Sequence, residues 1–341
     1  MNEAVTILNK LTMLKGVSGF EFPISEEIKR LFMPYCDVID IDPMGNVIGV
    51  MNPDSKGKSL MLEAHYDEIG LIVTEIMDNG RIKFMPIGGI DTAILPSSFV
   101  TIHGKKDVTG VIGAKPPHLQ SADESKKKYK TEDLYIDAYM TKDELEGVVR
   151  IGDSISFNSK PRQLLGGMYS SKSLDNRGGV ATLLLCAKAL KEAGFKGKVI
   201  FLLSVQEEVG LRGATAGAYE IKPDMAIVVD VTFGTSPSVS SSESFPLGGG
   251  GAIAAGPNID PEIFDKLKAI AHKNDLPYSV EVIADNTGTN AWAIQVQAGG
   301  IPCGLVSLPL RYMHSHVETL DAMDIENTVT LLTEFAKEAG L

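Results

Sequence analysis

Apolar residues recur at helical spacing at Ile24, Ile28, Leu31 and Phe32, and the chain then reads SLMLEA over residues 59–64, an apolar run of strand length. The same rhythm returns after about Gly167. Val180, Leu183, Leu184, Ala187 and Leu190 mark one face of a helix over residues 176–193, with Gly194 as its stop. Residues 199–205, 225–229 and 303–308 are near-continuous apolar runs, the pattern of strands covered by helices on both faces. Further helices are expected over residues 261–274 and 323–339. Helix and strand signals that alternate in this way predict an α/β fold, a mixed central sheet sandwiched by helices.

Between about Ile69 and Gly166 the pattern changes to short strands separated by turn residues: LIVTEIM, RIKFMPI, SFVTIHG, VTGVIGA, LYIDAYM and DSISFNS. Such a series predicts a compact β-barrel. Because α/β pattern lies on both sides, the barrel (69–166) reads as an insertion into a discontinuous main domain (1–68 and 167–341).

Composition narrows the function classes. The chain has 341 residues, 44% of them hydrophobic and 22% charged, with a formal net charge of -12. A nucleic-acid or anionic-membrane partner needs a basic face to displace counterions; the one basic run, KKKYK at 126–130, reads as a solvated loop. The cysteines are three, Cys36, Cys186 and Cys303, too far apart for a metal knuckle or a disulfide framework, which fits a reducing cytoplasm. The opening MNEAVTILNKLTMLKG reads as an amphipathic helix rather than a signal core, and no run approaches the ~20 apolar residues of a membrane span. GGGG at 248–251 lacks the Lys-Ser/Thr of a phosphate loop and reads as a surface loop.

Chemistry collects where the apolar runs end. SLMLEA is followed by His65, Tyr66 and Asp67; VIFLLSV by Gln206, Glu207 and Glu208; MAIVV by Asp230; and the run from Cys303 by RYMHSH, with His314 and His316. In an open α/β sheet the carboxyl ends of the strands form the ligand crevice, so these exits converge. Asp175 joins them at the entry to the 176–193 helix, where taken alone it would read as a cap. Imidazoles with carboxylates suit Zn²⁺, Co²⁺ or Mn²⁺. Unpaired charge at buried strand ends costs several kcal/mol, and a metal compensates it.

HYDEIG (65–70), PIGGID (86–91), GVIGAKPPH (110–118), SLDNRGG (173–179), QEEVGLRGA (206–214), VVD (228–230) and PLRYMHS (309–315) resemble the tetrahedral aminopeptidases, dinuclear metallo-aminopeptidases grouped with the glutamyl aminopeptidases, some of which carry an endoglucanase label. The matches run in one order over nearly the whole chain. The resemblance implies the dinuclear metallopeptidase fold and two divalent ions, with Asp175 bridging them. It implies His65 and Asp230 at one ion, Glu208 and His314 at the other, Glu207 as general base, and Asp67 holding the His65 ring. It further implies a cis Asp175–Asn176 peptide, peptide substrates with a free N-terminus, and barrel-joined dimers assembling into a dodecamer. Strand alternation, with a turn in the backbone at the strand end, would give Glu207 and Glu208 different directions, one toward the metal and the other toward the substrate. A glycosidase is disfavoured, since it needs two free carboxylates flanking the scissile bond.

Three positions depart from the pattern. Asn290 stands where many relatives have aspartate, His316 follows His314 where proline is usual, and Cys303 ends a GIPC that is elsewhere GVPT-like. Asn290, His316 and Arg311 are expected at the substrate pocket. The rival readings are a deacylase or dipeptidase acting on small amides and a metal-stabilised scaffold without turnover.

Overall fold

The computed structural model describes residues 3–122, 126–237 and 239–341. The chain opens with α1 (Glu3–Leu11) and α2 (Phe22–Phe32), followed by β1 (Val38–Ile41), β2 (Val47–Met51) and β3 (Ser59–His65). Next come β4 (Gly70–Ile76), β5 (Arg81–Ile87), β6 (Phe99–His103), β7 (Asp107–Gly113), β8 (Tyr135–Asp137), α3 (Lys142–Glu146) and β9 (Ser154–Phe157). After β10 (Arg162–Gln163) and β11 (Met168–Ser171) run α4 (Leu174–Glu192), β12 (Lys198–Ser204), α5 (Arg212–Ile221) and β13 (Met225–Phe233). The remainder is β14 (Ala252–Ala255), α6 (Pro261–Lys273), β15 (Ser279–Val282), α7 (Asn290–Ile294), β16 (Cys303–Leu310), β17 (Glu318–Asp321) and α8 (Ala322–Glu338).

One eight-stranded mixed sheet has the order β1-β2-β12-β3-β13-β16-β14-β15. Its centre, β12, β3, β13 and β16, is parallel. Every residue of β3 and β16 is buried, which explains why those segments read as unbroken apolar runs. One face packs against α1, α2, α4 and α8 through residues such as Leu8, Ile28, Leu183 and Phe335. The other carries α5 and α7 through Ala214, Ala218 and Ile294. Close approach needs glycine at the start of α5: a Cβ on Gly213 would lie 2.3 Å from the Val205 carbonyl.

β4 to β9 close into a separate antiparallel barrel, filled by Val73, Ile82, Phe84, Val100, Ile112, Ile136 and Ile155. Its strands alternate buried and outward residues, as in β7. The fold is therefore the α/β sandwich with a small barrel that the pattern predicts. Among the described residues no helix is long and apolar enough to cross a membrane.

Candidate active site

The central parallel strands end at a common edge. Ser204 of β12 is paired with His65 of β3, and the Tyr66 N–H donates to Ser204 O at 2.9 Å, carrying the pairing one residue further. His65 is thereby held buried at the carboxyl edge. Its Nδ1 faces Asp67 Oδ1 at 3.3 Å without the alignment of a hydrogen bond, so Asp67 acts on the ring through charge. The better-aligned contacts of Asp67 are to backbone: Oδ1 accepts the Glu207 N–H at 3.1 Å and Oδ2 the Glu208 N–H at 3.2 Å.

The glutamate doublet lies in a turn, not on a strand. β12 stops at Ser204, Gln206 is left-handed with φ 56°, and the Gly210 and Leu211 N–H groups bond back to Glu207 O. Strand alternation, expected from the sequence to separate the two carboxylates, is replaced by turn geometry. Glu207 Oε2 comes to 4.0 Å from His65 Nε2, and Glu208 Oε2 to 3.5 Å from His314 Nε2.

Asp175 does not cap its helix. Its backbone is non-helical (φ -77°, ψ 105°) and its peptide to Asn176 is cis. Asn176 does the capping: Oδ1 accepts the Gly179 N–H at 3.0 Å and Nδ2 donates to Val229 O at 2.7 Å. A Cβ at Gly179 would stand 2.3 Å from that Oδ1, so glycine is required there. The Asp175 carboxylate is left free for the site. Oδ1 lies 3.2 Å from His65 Nε2 and Oδ2 lies 3.3 Å from His314 Nε2.

Asp230 sits inside β13 rather than at its end, because pairing with β16 continues to Phe233. Its Oδ1 is 3.9 Å from His65 Nε2. His314 is left-handed (φ 59°) in the loop after β16, and its Nδ1–H donates to Gly89 O at 2.7 Å, which turns Nε2 toward Asp175 and Glu208. The barrel thus reaches the site through Gly88 and Gly89. Gly88 has φ 81°, and a Cβ on Gly89 would meet His314 Nδ1 at 2.9 Å.

Crowding like charges in a dry site perturbs them all. Burial raises the carboxyls of Glu208 and Asp230 well above the usual range, with charge from Asp175 or Glu207 adding to it. Burial also raises Glu207 to about 7, against the pull of His65. Burial would lower the His65 imidazole, but the Asp175 and Asp67 carboxylates beside it outweigh that and raise it. His314 rises to about 10 through its bond to Asp175. For Asp175 the burial penalty is outweighed by the two imidazoles, and its carboxyl is lowered.

Two donor groups result: His65, Glu207 and Asp230, and Asp175, Glu208 and His314, the atoms of each within 4.8 Å of one another. This N/O set fits divalent ions such as Zn²⁺. The cluster opens into a cavity of about 850 Å³, which Thr232, Phe233, Glu281, Trp292 and Val296 also line.

The sequence profile of the M42 glutamyl aminopeptidases matches residues 45–331. The chain belongs to the M42 peptidase family. It is 32% identical to a lysyl aminopeptidase of Pyrococcus furiosus, over 97% of this chain and 96% of that one. Among solved structures, an aminopeptidase of Desulfurococcus kamchatkensis superposes with a TM-score of 0.93 at 34% identity, over 99% of this chain and 95% of the other. The TET1 peptidase of Pyrococcus horikoshii, which assembles into a tetrahedron or an octahedral shell, gives 0.86 at 34% identity, over 98% and 99%. As an M42 peptidase the protein is a hydrolase of the aminopeptidase class, with acidic and histidine groups placed to bind metal.

Other residues of this M42 peptidase fall away from the cavity wall. Asn290 is buried beneath it, its Nδ2 donating to Glu63 Oε1 at 2.8 Å and to Ser204 Oγ at 3.1 Å. Arg311 Nε donates to Thr235 O at 2.6 Å, and His316 stacks on Phe157 of the barrel at 5.7 Å; neither lines the cavity. Sequence reading overlooked Glu318, which is fully buried and accepts the N–H of Asp175 through Oε2 (3.1 Å) and that of His314 through Oε1 (2.9 Å). A carboxylate four residues after His314, in the apolar-polar mix of VETLD, was its only signal.

Proposed function

We propose that this protein is a metal-dependent aminopeptidase that releases N-terminal residues from peptides at a centre of two divalent ions. The observation that carries the reading is the split of Asp175, one oxygen toward His65 and the other toward His314. In this reading Asp175 would be shared between the two ions, His65 and Asp230 would hold one, and Glu208 and His314 would hold the other. The ions, Zn²⁺ or Co²⁺ with Mn²⁺ also accommodated, supply charge that polarises the scissile carbonyl and acidifies water. Glu207, in the turn beside His65, takes the proton from the attacking water and returns it to the departing amine. Asp67 holds the doublet by both backbone N–H groups and orients His65 by charge. With the other carboxylates committed to metal, the paired free acids of a glycosidase are lacking.

The same reading makes 1–68 and 167–341 one discontinuous catalytic domain and the barrel (69–166) its joining piece. Large apolar side chains stand exposed on the barrel, among them Phe99, Met85 and Tyr139, and the TET1 relative is a closed assembly. We assign this chain the same habit, dimers gathered into a dodecamer, in the cytoplasm. The deciding experiment is metal analysis joined to hydrolysis of aminoacyl anilides and N-acyl amino acids. Two ions per subunit with turnover of free-amine substrates alone is the expected result; preference for N-acyl substrates would make the protein a deacylase.

A further inference from the structure

From the metal-ligating cluster the cavity runs past Thr232 to Glu281 on β15, an edge strand of the large sheet. Thr232 follows Asp230 by two positions on β13, which puts them on one face and ~7 Å apart. Glu281 Oε1 accepts the Thr232 hydroxyl at 2.6 Å. Its Oε2 is buried and meets no hydrogen-bond partner of good geometry among the described residues, while the Ser307 hydroxyl beside the carboxylate opposes the rise of its pKa. Burial raises the Glu281 carboxyl, as expected of a charge without a counterion. Phe233, Trp292 and Val296 make the intervening wall apolar, and neither lysine nor arginine lines the cavity among the described residues.

We propose that Glu281 is a specificity-determining residue that receives the cationic side chain of an N-terminal lysine or arginine, so that the protein preferentially removes basic residues. The inference rests on the aminopeptidase reading above. A lysine or arginine stem carries its charge away from the α-amine, and Trp292 and Val296 of the same cavity offer apolar surface to its methylenes. The ammonium or guanidinium then makes a charge-assisted interaction with the Glu281 carboxylate where it lines the cavity. A leucine side chain fills the apolar stretch but leaves that carboxylate unpaired, and an acidic side chain meets like charge with no cation to offset it.

Trp292 is the sole tryptophan of the chain, so its fluorescence reports occupancy of this cavity without turnover. The metal-loaded protein and Glu281→Gln, which keeps the shape of the side chain and an acceptor for Thr232, are compared on lysyl, arginyl, leucyl and glutamyl anilides. Both are also titrated with L-lysinamide and L-leucinamide. The expected result is a lysyl-over-leucyl ratio of kcat/KM that falls about 10- to 100-fold in Glu281→Gln, with lysinamide binding weakened in step and leucinamide binding weakened less. A wild-type preference for leucyl substrates, or an equal loss on all substrates that marks Glu281 as a partner of the α-amine, overturns the proposal. If no anilide is hydrolysed the aminopeptidase reading fails, and the titrations decide alone. A lysinamide preference that Glu281→Gln removes sustains the pocket assignment, and equal binding of the two amides overturns it.

Discussion

Glu318 Oε2 accepts the backbone N–H of Asp175 at 3.1 Å, and the other oxygen of the same carboxylate accepts that of His314. One buried side chain therefore fixes Asp175 at the head of α4 and His314 in the loop after β16. Glu318→Gln leaves one of those N–H groups facing an amide N–H. Metal affinity is expected to drop about 10- to 100-fold while the fold is retained. Competition against a chelator measures it; unchanged affinity would remove Glu318 from any positioning role.

Glu207→Gln separates base from ligand. The variant should retain two ions per subunit and lose about 10²- to 10⁴-fold in kcat. Loss of an ion together with activity would show that Glu207 is a ligand of the His65 position.

Metal uptake should expel protons. The His314 imidazole is raised to about 10 by its bond to Asp175, and His65, Glu208 and Asp230 are shifted upward as well, so protons compete with a metal for these groups. Affinity is therefore expected to rise with pH. Calorimetric titration in buffers of different ionisation enthalpy counts the protons, and a pH-independent affinity would contradict the assignment.

Asp324, remote from the site, gives a test of stability. Burial raises its carboxyl to about 7, although the N–H groups of Gly248 and Gly250 favour the ion. The folded state thus binds the proton more readily than the unfolded one. Its stabilising effect is complete below the unfolded pKa and fades as pH climbs to about 7, by up to ~1.4 kcal/mol per pH unit. The wild-type minus Asp324→Asn difference in denaturant midpoint should fall between about pH 5 and 7 and level off above that; a rising difference would reverse the sign.

Phe99, 62% exposed on β6, is expected to lie within the barrel contact between subunits. Phe99→Glu should shift the particle mass seen by light scattering to smaller species. No shift would move the contact elsewhere on the barrel.

The fold was legible because its parallel strands are covered on both faces and its barrel strands on one, and those two burial patterns leave different apolar periods in the sequence. The convergence of His65, Asp175, Asp230 and His314 was legible for a related reason, since strands of one parallel sheet end at a common edge. What the sequence hid depends on backbone that residue type does not dictate. A left-handed Gln206 turns the glutamate doublet out of β12, and ladder pairing with β16 carries β13 beyond Asp230. Asn176 takes the capping duty that an aspartate before a helix usually has. Glu318 and Glu281 each look like one more polar residue on a short strand; only the tertiary neighbours give them work.

The contact between Gly89 and His314 joins two parts of the chain that are 225 positions apart. A shortened chain without residues 70–157 would keep its main sheet, yet the His314 ring would lose the carbonyl that sets its rotation. The Phe157–His316 stack ties the same loop to the barrel a second time. A displacement of the barrel would therefore turn the His314 ring, with the PIGGID loop as the tooth between the two parts of the chain.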